Sequence, residues 1–206
     1  MDLQEKHTES KNVSMPKTTR ILCTYHLFLV CREVSYQELM DQLGTPKKTA
    51  SRDISLLVQA GVLKVKYDRK NHAFLPVDLS LSPIKPQEGK NQLKYLEKLR
   101  RCCILMKGMR DLFHFPLGED EWYNDWYSMS KIDFYRMLLP NVPDRTRQRD
   151  YAELEKAGYE ICYIPPIPGC REEAEEDLKY YPEWKNDLYF MAEVYGGWKY
   201  TVPGYF

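Results

Sequence analysis

The spacing of apolar residues predicts helices and strands that alternate along the chain. Between Thr45 and Gly61, Ala50, Ile54 and Leu57 fall on one helical face. The next segment, VLKVKY at 62–67, alternates apolar with polar residues, as a half-buried strand does. A DRKN turn then leads to HAFLP, which predicts a β-hairpin directly after the helix.

A second helix is predicted just upstream, in SYQELMDQL. Ser35 begins it, and Glu38, three residues on, completes a capping box. Gly44 then allows a tight turn into the following helix. Two short helices, a tight turn, and a polar, basic outer face on the second helix are typical of a helix-turn-helix.

The second of these helices recurs later in the chain. TPKKTASRDISLLVQAGV, from Thr45, aligns without a gap with VPDRTRQRDYAELEKAGY, from Val142. The identities include a proline, a threonine, an Arg-Asp pair and the closing Ala-Gly. The prolines suit the first turn of a helix, and the glycines suit a left-handed C-cap. We expect Thr45 to be the N-cap of the first copy and the second copy to begin at Asp144, because Val142 has no capping side chain.

The other elements of the first half also have counterparts. SKIDFYRML, from Ser130, matches the first helix of the pair, although the turn after it is longer. YEICYI at 159–164 and WKYTVP at 198–203 match the hairpin strands. Between them, 165–197 is predicted to be an insertion with two short helices. Each half also needs a leading helix, which TTRILCTYHLFLVCR and segment 91–113 would supply.

These elements predict an α+β, mostly α-helical protein with two winged helix-turn-helix domains in tandem, the second wing being interrupted by a helical insertion. The linker between the domains is rich in proline and serine. The expected divisions are a flexible N-terminal tail at 1–16, the first domain at 17–80, the linker at 81–90, and the second domain at 91–206, which includes the linking helix 91–113 and the insertion 165–197.

Charge is balanced over the whole chain but not along it. The 206 residues carry 30 Lys and Arg against 30 Asp and Glu. Segment 17–83 has ten bases against six acids, and 84–111 has eight against three, whereas 159–206 has four against nine. The neutral total argues against nucleic-acid binding, but this distribution can place a basic face on one part of the protein.

Composition argues against several other classes of protein. No apolar run is long enough to span a bilayer, and the polar, acid-bearing N-terminus is not a secretory signal, so we expect a cytoplasmic protein without a membrane partner. The six cysteines form no C-x-x-C pair and are expected to be reduced and buried. The four histidines are scattered, so no metal site is predicted, and no cofactor is implied.

The sequence also lacks the features of an enzyme. It has no nucleophile–base pair, Gly-rich phosphate loop or metal-ligand spacing. An enzyme would gain support if the fold placed Cys102 or Cys103 in a pocket beside a histidine. The aromatic segment EWYNDWYSMSKIDFY at 121–135 has acidic neighbours, which argue against base stacking. We expect this segment to pack between the two modules, and a dimer surface is the less favoured alternative.

At T-x-x-R-D-x-x-x-L-x-x-x-G, which occurs at 49–61 and again at 146–158, the sequence resembles the DNA-binding module of DeoR-like and WYL-domain bacterial regulators. The resemblance covers Thr18–Pro76 and Gln92–Gly204 and implies a winged-helix fold that binds operator DNA. The sequence stops directly after the second wing, without the ligand-sensing domain of those regulators. It is therefore expected to be either a truncated chain or a short relative without a sensor.

A helix that reads DNA needs basic and hydroxyl groups for phosphates and side chains that reach base edges in the major groove. The first recognition helix offers Lys47, Lys48, Thr49, Ser51 and Arg52. The second offers Arg145, Thr146, Gln148 and Arg149. A glutamine can pair with adenine and an arginine with guanine. The first wing would contact the backbone or the minor groove through Lys64, Lys66, Arg69, Lys70 and His72.

Two arginines and two aspartates in these helices have a second interpretation. Arg52 and Arg149 each precede an aspartate, and each could pair with an acid inside its own module instead of with DNA. Asp53 and Asp150 are expected to be structural, because phosphate repels a carboxylate.

The second copy also departs from the first at one position that should be buried. Arg147 stands where the first copy has Ala50. An unpaired arginine is costly to bury, so either this helix is rotated or Arg147 pairs with an acid. The second module could therefore have kept only a structural role.

Together these observations predict a transcription regulator that binds duplex DNA, chiefly through the first helix-turn-helix. The alternative is a protein–protein interaction module, since winged helices often serve that purpose and the C-terminal third is acidic. A homodimer is the usual route to a palindromic site, but two modules in one chain could read two half-sites alone.

Overall fold

The computed structural model describes residues 15–87, 89–112, 122–127, 129–186 and 188–203. Its first half has the order helix, strand, helix, helix, strand, strand. These elements are α1 (Lys17–Val30), β1 (Val34–Ser35), α2 (Tyr36–Leu43), α3 (Lys47–Gln59), β2 (Lys64–Asp68) and β3 (Ala73–Asp78). Strand β3 lies between β1 and β2 and is antiparallel to both. The predicted helix pair and hairpin are confirmed, and β1 is an addition that the sequence pattern did not predict.

The second half repeats this order, with extra helices inserted before its last strand. Its elements are α4 (Lys90–Leu112), β4 (Trp122–Tyr127), α5 (Lys131–Leu138), α6 (Asp144–Glu155), β5 (Glu160–Ile164), α7 (Cys170–Tyr180), a 3-10 helix (Pro182–Asn186), α8 (Leu188–Tyr195) and β6 (Gly197–Pro203). Strand β6 lies between β4 and β5, again antiparallel to both. The predicted pairing of 159–164 with 198–203 across a helical insertion is confirmed, and the aromatic segment contributes β4.

The chain is thus a mixed α+β protein that is mostly helical, with two small sheets of the same strand arrangement. Within the described ranges, no helix combines the length and the apolar character that crossing a membrane requires.

Local side-chain signals set the ends of the short helices. The Ser35 hydroxyl accepts a hydrogen bond from the Glu38 backbone N–H at 3.1 Å, and the Glu38 carboxylate accepts one from the Ser35 N–H at 2.6 Å. This is the predicted capping box. Gly44 closes α2 with a positive φ of 56°, in the left-handed region. At the start of α5, the Ser130 hydroxyl accepts a hydrogen bond from the Asp133 N–H at 3.1 Å, as the Ser35 hydroxyl does at the start of α2.

The expected N-cap at Thr45 is wrong, because Pro46 is the cap. Pro46 has an extended ψ of 148°, and its carbonyl accepts the first helical hydrogen bond of α3, from the Ala50 N–H at 3.1 Å. Proline lacks an N–H, so it can stand at a helix start without leaving a donor unpaired. Pro143 caps α6 likewise, and α6 begins at Asp144 as predicted.

Helices α3 and α6 are each followed by a left-handed glycine. Gly61 and Gly158 have φ values of 68° and 85°, so the left-handed conformation predicted there is confirmed, although the C-cap residues are Ala60 and Lys156. The chain after Gly61 also packs against the helix end, since the Ser82 N–H donates to the Gly61 carbonyl at 2.8 Å and the Lys85 N–H to that of Gln59 at 2.9 Å. A side chain at Gly61 would collide with the carbonyls of Ser82 and Pro83.

One hydrophobic core runs through both halves of the chain. Helix α1 packs against α3 in its own half and against α4 and α6 in the other. It contributes Ile21, Leu22, Tyr25 and Phe28, and α4 contributes Cys102, Cys103, Met106 and Met109, all almost fully buried. At the seam, His26 Nδ1 and the Tyr159 hydroxyl lie 2.6 Å apart in a buried hydrogen bond.

A buried ion pair joins the leading helix of each half to the third helix of that half, α1 to α3 and α4 to α6. Arg20 on α1 donates to Asp53 on α3 through Nε at 2.6 Å and Nη2 at 3.3 Å. Arg101 on α4 donates to Asp150 on α6 with the same two atoms, at 2.7 and 3.2 Å. The side chains of Asp53 and Asp150 are only 2% and 1% exposed. The expected structural role of both aspartates is confirmed.

We expect Gly61→Ala to destabilise the protein more than Gly44→Ala. Both glycines have a positive φ, so each alanine incurs about 1–2 kcal/mol of backbone strain. At Gly44 the new Cβ meets no atom within 4 Å, whereas at Gly61 it meets two carbonyls of the linker. Urea unfolding of the two variants measures the difference. Equal losses would show that the linker does not pack on the end of α3.

Removal of the Asp53 carboxylate should be among the most damaging single changes. Asp53→Ala leaves the Arg20 guanidinium, 16% exposed, without its partner, and breaking a buried pair in this way costs about 3–5 kcal/mol. Lys64→Ala, which breaks the exposed pair of Lys64 with Asp78, is the matched control and should leave the free energy of unfolding unchanged. A loss of under about 1 kcal/mol for Asp53→Ala in urea unfolding would contradict this expectation.

Candidate nucleic-acid interface

The first two turns of α3 present a basic face to solvent. Burial of Ala50, Asp53, Ile54 and Leu57 on one side of the helix fixes which side faces outward. The predicted residues of this helix lie on or beside the outward side: Lys47, Lys48, Ser51 and Arg52 are exposed, and Thr49 is half-buried. Asp53, the acid that follows Arg52 in the sequence, is paired with Arg20.

A cluster of aromatic rings connects the start of α2 to the β2–β3 hairpin. Phe74 lies in the middle, with ring centroids 4.9 Å from Tyr36 and 5.0 Å from Tyr67. The Lys47 ammonium sits over the Tyr36 ring, 4.7 Å from its centroid. The cluster therefore fixes the hairpin relative to α2, and Lys47 at the start of α3 is partly engaged by the Tyr36 ring.

The hairpin carries four exposed bases, one of which forms an ion pair. Lys66, Arg69 and Lys70 are exposed, and the last two lie in the turn. Lys64 is 3.1 Å from Asp78. Hydrogen bonds from Ser80, together with Lys64, lower the pKa of Asp78 to about 2.

Hydrogen bonds among its own residues stabilise the turn of the β2–β3 hairpin. Asp68 accepts from the Lys70 N–H at 2.8 Å and from the Asn71 side chain at 3.1 Å. His72, which is exposed, takes a positive φ of 53°, unusual for a residue with a side chain. The Tyr67 hydroxyl lies 3.5 Å from its ring nitrogen Nδ1.

A groove of about 600 Å³ runs beside α3 and gathers residues from three helices. Thr49 and Arg52 line it from α3, Lys17 from the start of α1, and Gln92 from the start of α4. Sequence reasoning missed Lys17 and Gln92 as members of this surface. A signal for Lys17 was present, since the K-x-x-R spacing of Lys17 and Arg20 recurs at Lys98 and Arg101.

Helix α6 keeps the same outward face as α3. Arg145, Gln148 and Arg149 are exposed and Thr146 is half-buried. Its buried residues, Arg147, Asp150, Tyr151 and Leu154, match those of α3 position by position, so the helix is not rotated.

Arg147 is buried and paired with an acid, as one of the two alternatives predicted. Its Nη2 lies 3.1 Å from Asp144 Oδ1, within the first turn of α6. Its Nε is buried without a hydrogen-bond partner. The pair compensates the charge, while the orphaned Nε still costs free energy.

Most bases of α4 are engaged inside the protein. Arg100 donates to the carbonyls of Ala60 and Ser82, and Arg110 donates to the Leu29 carbonyl at 2.6 Å. The remaining pairs are Arg101 with Asp150, Lys98 with Glu153 at 3.1 Å, and Lys107 with the Leu79 carbonyl at 3.4 Å. Arg100, Lys107 and Arg110 therefore join α4 to the first half, whereas Lys98 and Arg101 join it to α6. Lys85, Lys90 and Lys94 are the exposed bases of 84–111.

The buried cysteines lack the properties of nucleophiles. Cys102 and Cys103 are fully buried, and burial raises the pKa of both thiols. Burial also raises the pKa of Cys23 to about 11. These thiols stay protonated at neutral pH, and the thiolate is the reactive form. Among the residues that the structure describes, no group of three His, Cys, Asp or Glu could hold a metal ion.

Comparison with protein-family models, with curated proteins and with solved structures finds no match for this chain. The resemblance to DeoR-like and WYL-domain regulators stays an interpretation of the sequence motif. The properties of the candidate interface therefore follow from its own side chains.

We expect Cys23, Cys102 and Cys103 to resist alkylation in the folded protein. Burial and a raised pKa both suppress their thiolate form, so iodoacetamide at pH 8 should leave them unmodified. Peptide mass spectrometry locates the labelled sites, and the guanidinium-unfolded chain, in which all six cysteines should react, is the control. Rapid labelling of Cys102 in the native protein would contradict this expectation and would support the alternative that the protein is an enzyme.

Proposed function

We propose that each half is a winged helix-turn-helix module and that the protein is a transcription regulator that binds duplex DNA sequence-specifically, chiefly through α3. One observation carries this proposal. The first two turns of α3 expose Lys48, Ser51 and Arg52 side by side, while the opposite side of the helix is tied to α1 by Arg20 and Asp53. No catalytic step or cofactor is assigned.

The exposed residues have the chemistry that duplex DNA requires. Lys48 can neutralise a phosphate, Ser51 can donate to one, and Arg52 is long enough to reach a guanine edge. Lys66, Arg69 and Lys70 on the hairpin would contact the backbone beside the groove that α3 enters. Lys17, which shares the groove of Arg52, adds a positive charge at the same surface.

The charge distribution supports the same proposal despite the neutral total. Exposed acids concentrate in α7, where Glu172, Glu173, Glu175, Glu176 and Asp177 follow one another closely. This helix belongs to the insertion of the second half, whereas the bases of α3 and of the first hairpin belong to the first half. The resulting separation of charge would orient the protein as it approaches DNA.

The position of α3 is fixed before any ligand binds. The Asp53 bond raises the pKa of the Arg20 guanidinium, so this tie persists across the physiological pH range. A helix that is held rigidly loses little conformational freedom on binding. For a bacterial regulator, as the resemblance implies, the site of action is the cytoplasm.

Binding to random-sequence duplex DNA across a salt series tests the proposal. We expect affinity to fall steeply with salt, because bound phosphates release counterions. The double variant Lys48→Ala, Arg52→Ala should bind more weakly and lower the magnitude of the salt slope by about 1, because Lys48 is the member of the pair that contacts a phosphate.

The matched control removes two exposed bases from the insertion, in Lys179→Ala with Lys185→Ala. Both double variants change net charge equally, so only a local contact separates them. Equal slopes for the two variants would contradict a role for α3, and no binding by the unaltered protein at low salt would reject the DNA proposal.

A second candidate function, a protein-interaction module, is favoured by exposed aromatic residues in the insertion. Tyr180 is 74% exposed and Tyr181 47%. Tyr181 stacks on Trp184, with ring centroids 4.7 Å apart. Exposed aromatic side chains are enriched at protein interfaces. Failure of DNA binding at low salt, combined with retained fold, would turn the search to this surface.

A further inference from the structure

The two leading helices, α1 and α4, occupy equivalent positions in the repeat, although their sequences share few identical residues. Placing Lys17 on Lys98 also places Arg20 on Arg101, the two arginines of the buried ion pairs. The same alignment superposes the core positions of the helices: Ile21 on Cys102, Leu22 on Cys103, Tyr25 on Met106 and Phe28 on Met109, all almost fully buried. The repeat therefore includes α1 and α4 as well as the recognition helices.

Helices α1 and α4 pack side by side, parallel and in register. At the start of α1, the Lys17 ammonium lies 4.9 Å from the centroid of the Tyr95 ring, which is one turn before Lys98, the equivalent of Lys17. At the other end, the Leu29 carbonyl accepts from Arg110 at 2.6 Å. Leu29 and Arg110 are themselves equivalent positions in the alignment. Contact between equivalent positions is what a twofold axis along the pair of helices requires.

Contacts between the halves also come in matched pairs. Helix α1 packs against α6, and α4 packs against α3. His26 and its equivalent, Lys107, each contact the opposite half, at Tyr159 and at the Leu79 carbonyl respectively. The reciprocal packing of the four helices is what a twofold interface between two like subunits requires. The chain is arranged as a pseudo-symmetric dimer within a single polypeptide.

This symmetry determines where the two recognition helices lie. Rotation about an axis preserves height along it, so α3 and α6 lie at the same height beside the α1–α4 pair. Asp53 and Asp150 bind Arg20 and Arg101, one turn from Lys17 and Lys98. Both outward faces are therefore near the same end of the molecule.

Helix α4 extends about two turns beyond Lys98 at that end, close to the axis. This extension carries exposed Lys90 and Lys94, and Gln92 lines the groove beside Arg52. The side chains of Gln92 and Gln59 lie 3.5 Å apart, which holds the extension against α3.

We infer that one chain binds one duplex at two half-sites, with α3 in one major groove and α6 in the next, and with Lys90 and Lys94 on the phosphates between them. The inference rests on the proposed function. It gives α6 a role in DNA binding through Arg145, Gln148 and Arg149, which are exposed although the buried Arg147 departs from the first copy. A second copy of the chain is then unnecessary.

Selection from a pool of random-sequence duplexes provides the probe, and the enriched duplex is footprinted with hydroxyl radicals. We expect two protected patches on one face of the duplex, about 10 base pairs apart or a multiple of that spacing. The mass of the complex, from light scattering, should correspond to one chain per duplex.

Three double variants assign the patches. Arg145→Ala with Arg149→Ala should remove one patch and weaken binding at least about tenfold, and Lys48→Ala with Arg52→Ala should remove the other. Lys90→Ala with Lys94→Ala should lower the magnitude of the salt slope without changing the selected sequence. The control, Lys179→Ala with Lys185→Ala, should alter neither patch.

Circular dichroism checks that each variant remains folded, which is the expected result because the substituted positions are exposed. Two chains per duplex, or unchanged binding after Arg145→Ala with Arg149→Ala, would overturn the inference while leaving DNA binding through α3 intact. Complete absence of binding by the unaltered protein would reject the proposed function itself.

Discussion

The buried pair between an arginine of α1 or α4 and an aspartate of α3 or α6 is the interaction on which the arrangement depends. It occurs twice, with the same guanidinium atoms and nearly the same distances. In the second half, Tyr135 also donates to Asp150 at 2.8 Å, which satisfies the carboxylate further. Because both aspartates are buried, their helices cannot turn without leaving a charge unpaired. The outward faces of α3 and α6 follow from this constraint.

Much of the fold could be predicted from the sequence because its signals are local. The Ser35 capping box and the left-handed glycines each act within a few residues and were confirmed, and the strand predicted at 62–67 forms at Lys64–Asp68. The pairing of β5 with β6 across an insertion was predicted from repetition, since the second half had to contain a counterpart of the first hairpin. Thr45 failed as a cap because the proline after it competed for the same role.

The parts of the fold and of the candidate site that were not predicted depend on contacts between distant segments, and the spacing of residues along the chain does not encode such contacts. A count of bases in 84–111 could not show that Arg100 and Arg110 would bind carbonyls of the first half. For the candidate site, the outward positions on α3 followed from helical periodicity, whereas the contribution of Lys17 and Gln92 to the same groove depends on how three helices meet. The short strand β1 is set by its pairing with β3 rather than by any pattern of its own.

The shared core has a consequence for how the protein behaves on dilution. Separate subunits of a dimer dissociate as their concentration falls, and their stability depends on it. Here the two like halves are joined by a short linker, which keeps each at an effective concentration of about millimolar relative to the other. Their assembly is a unimolecular step, so contacts between the halves, such as the one between His26 and Tyr159, do not depend on the concentration of the protein.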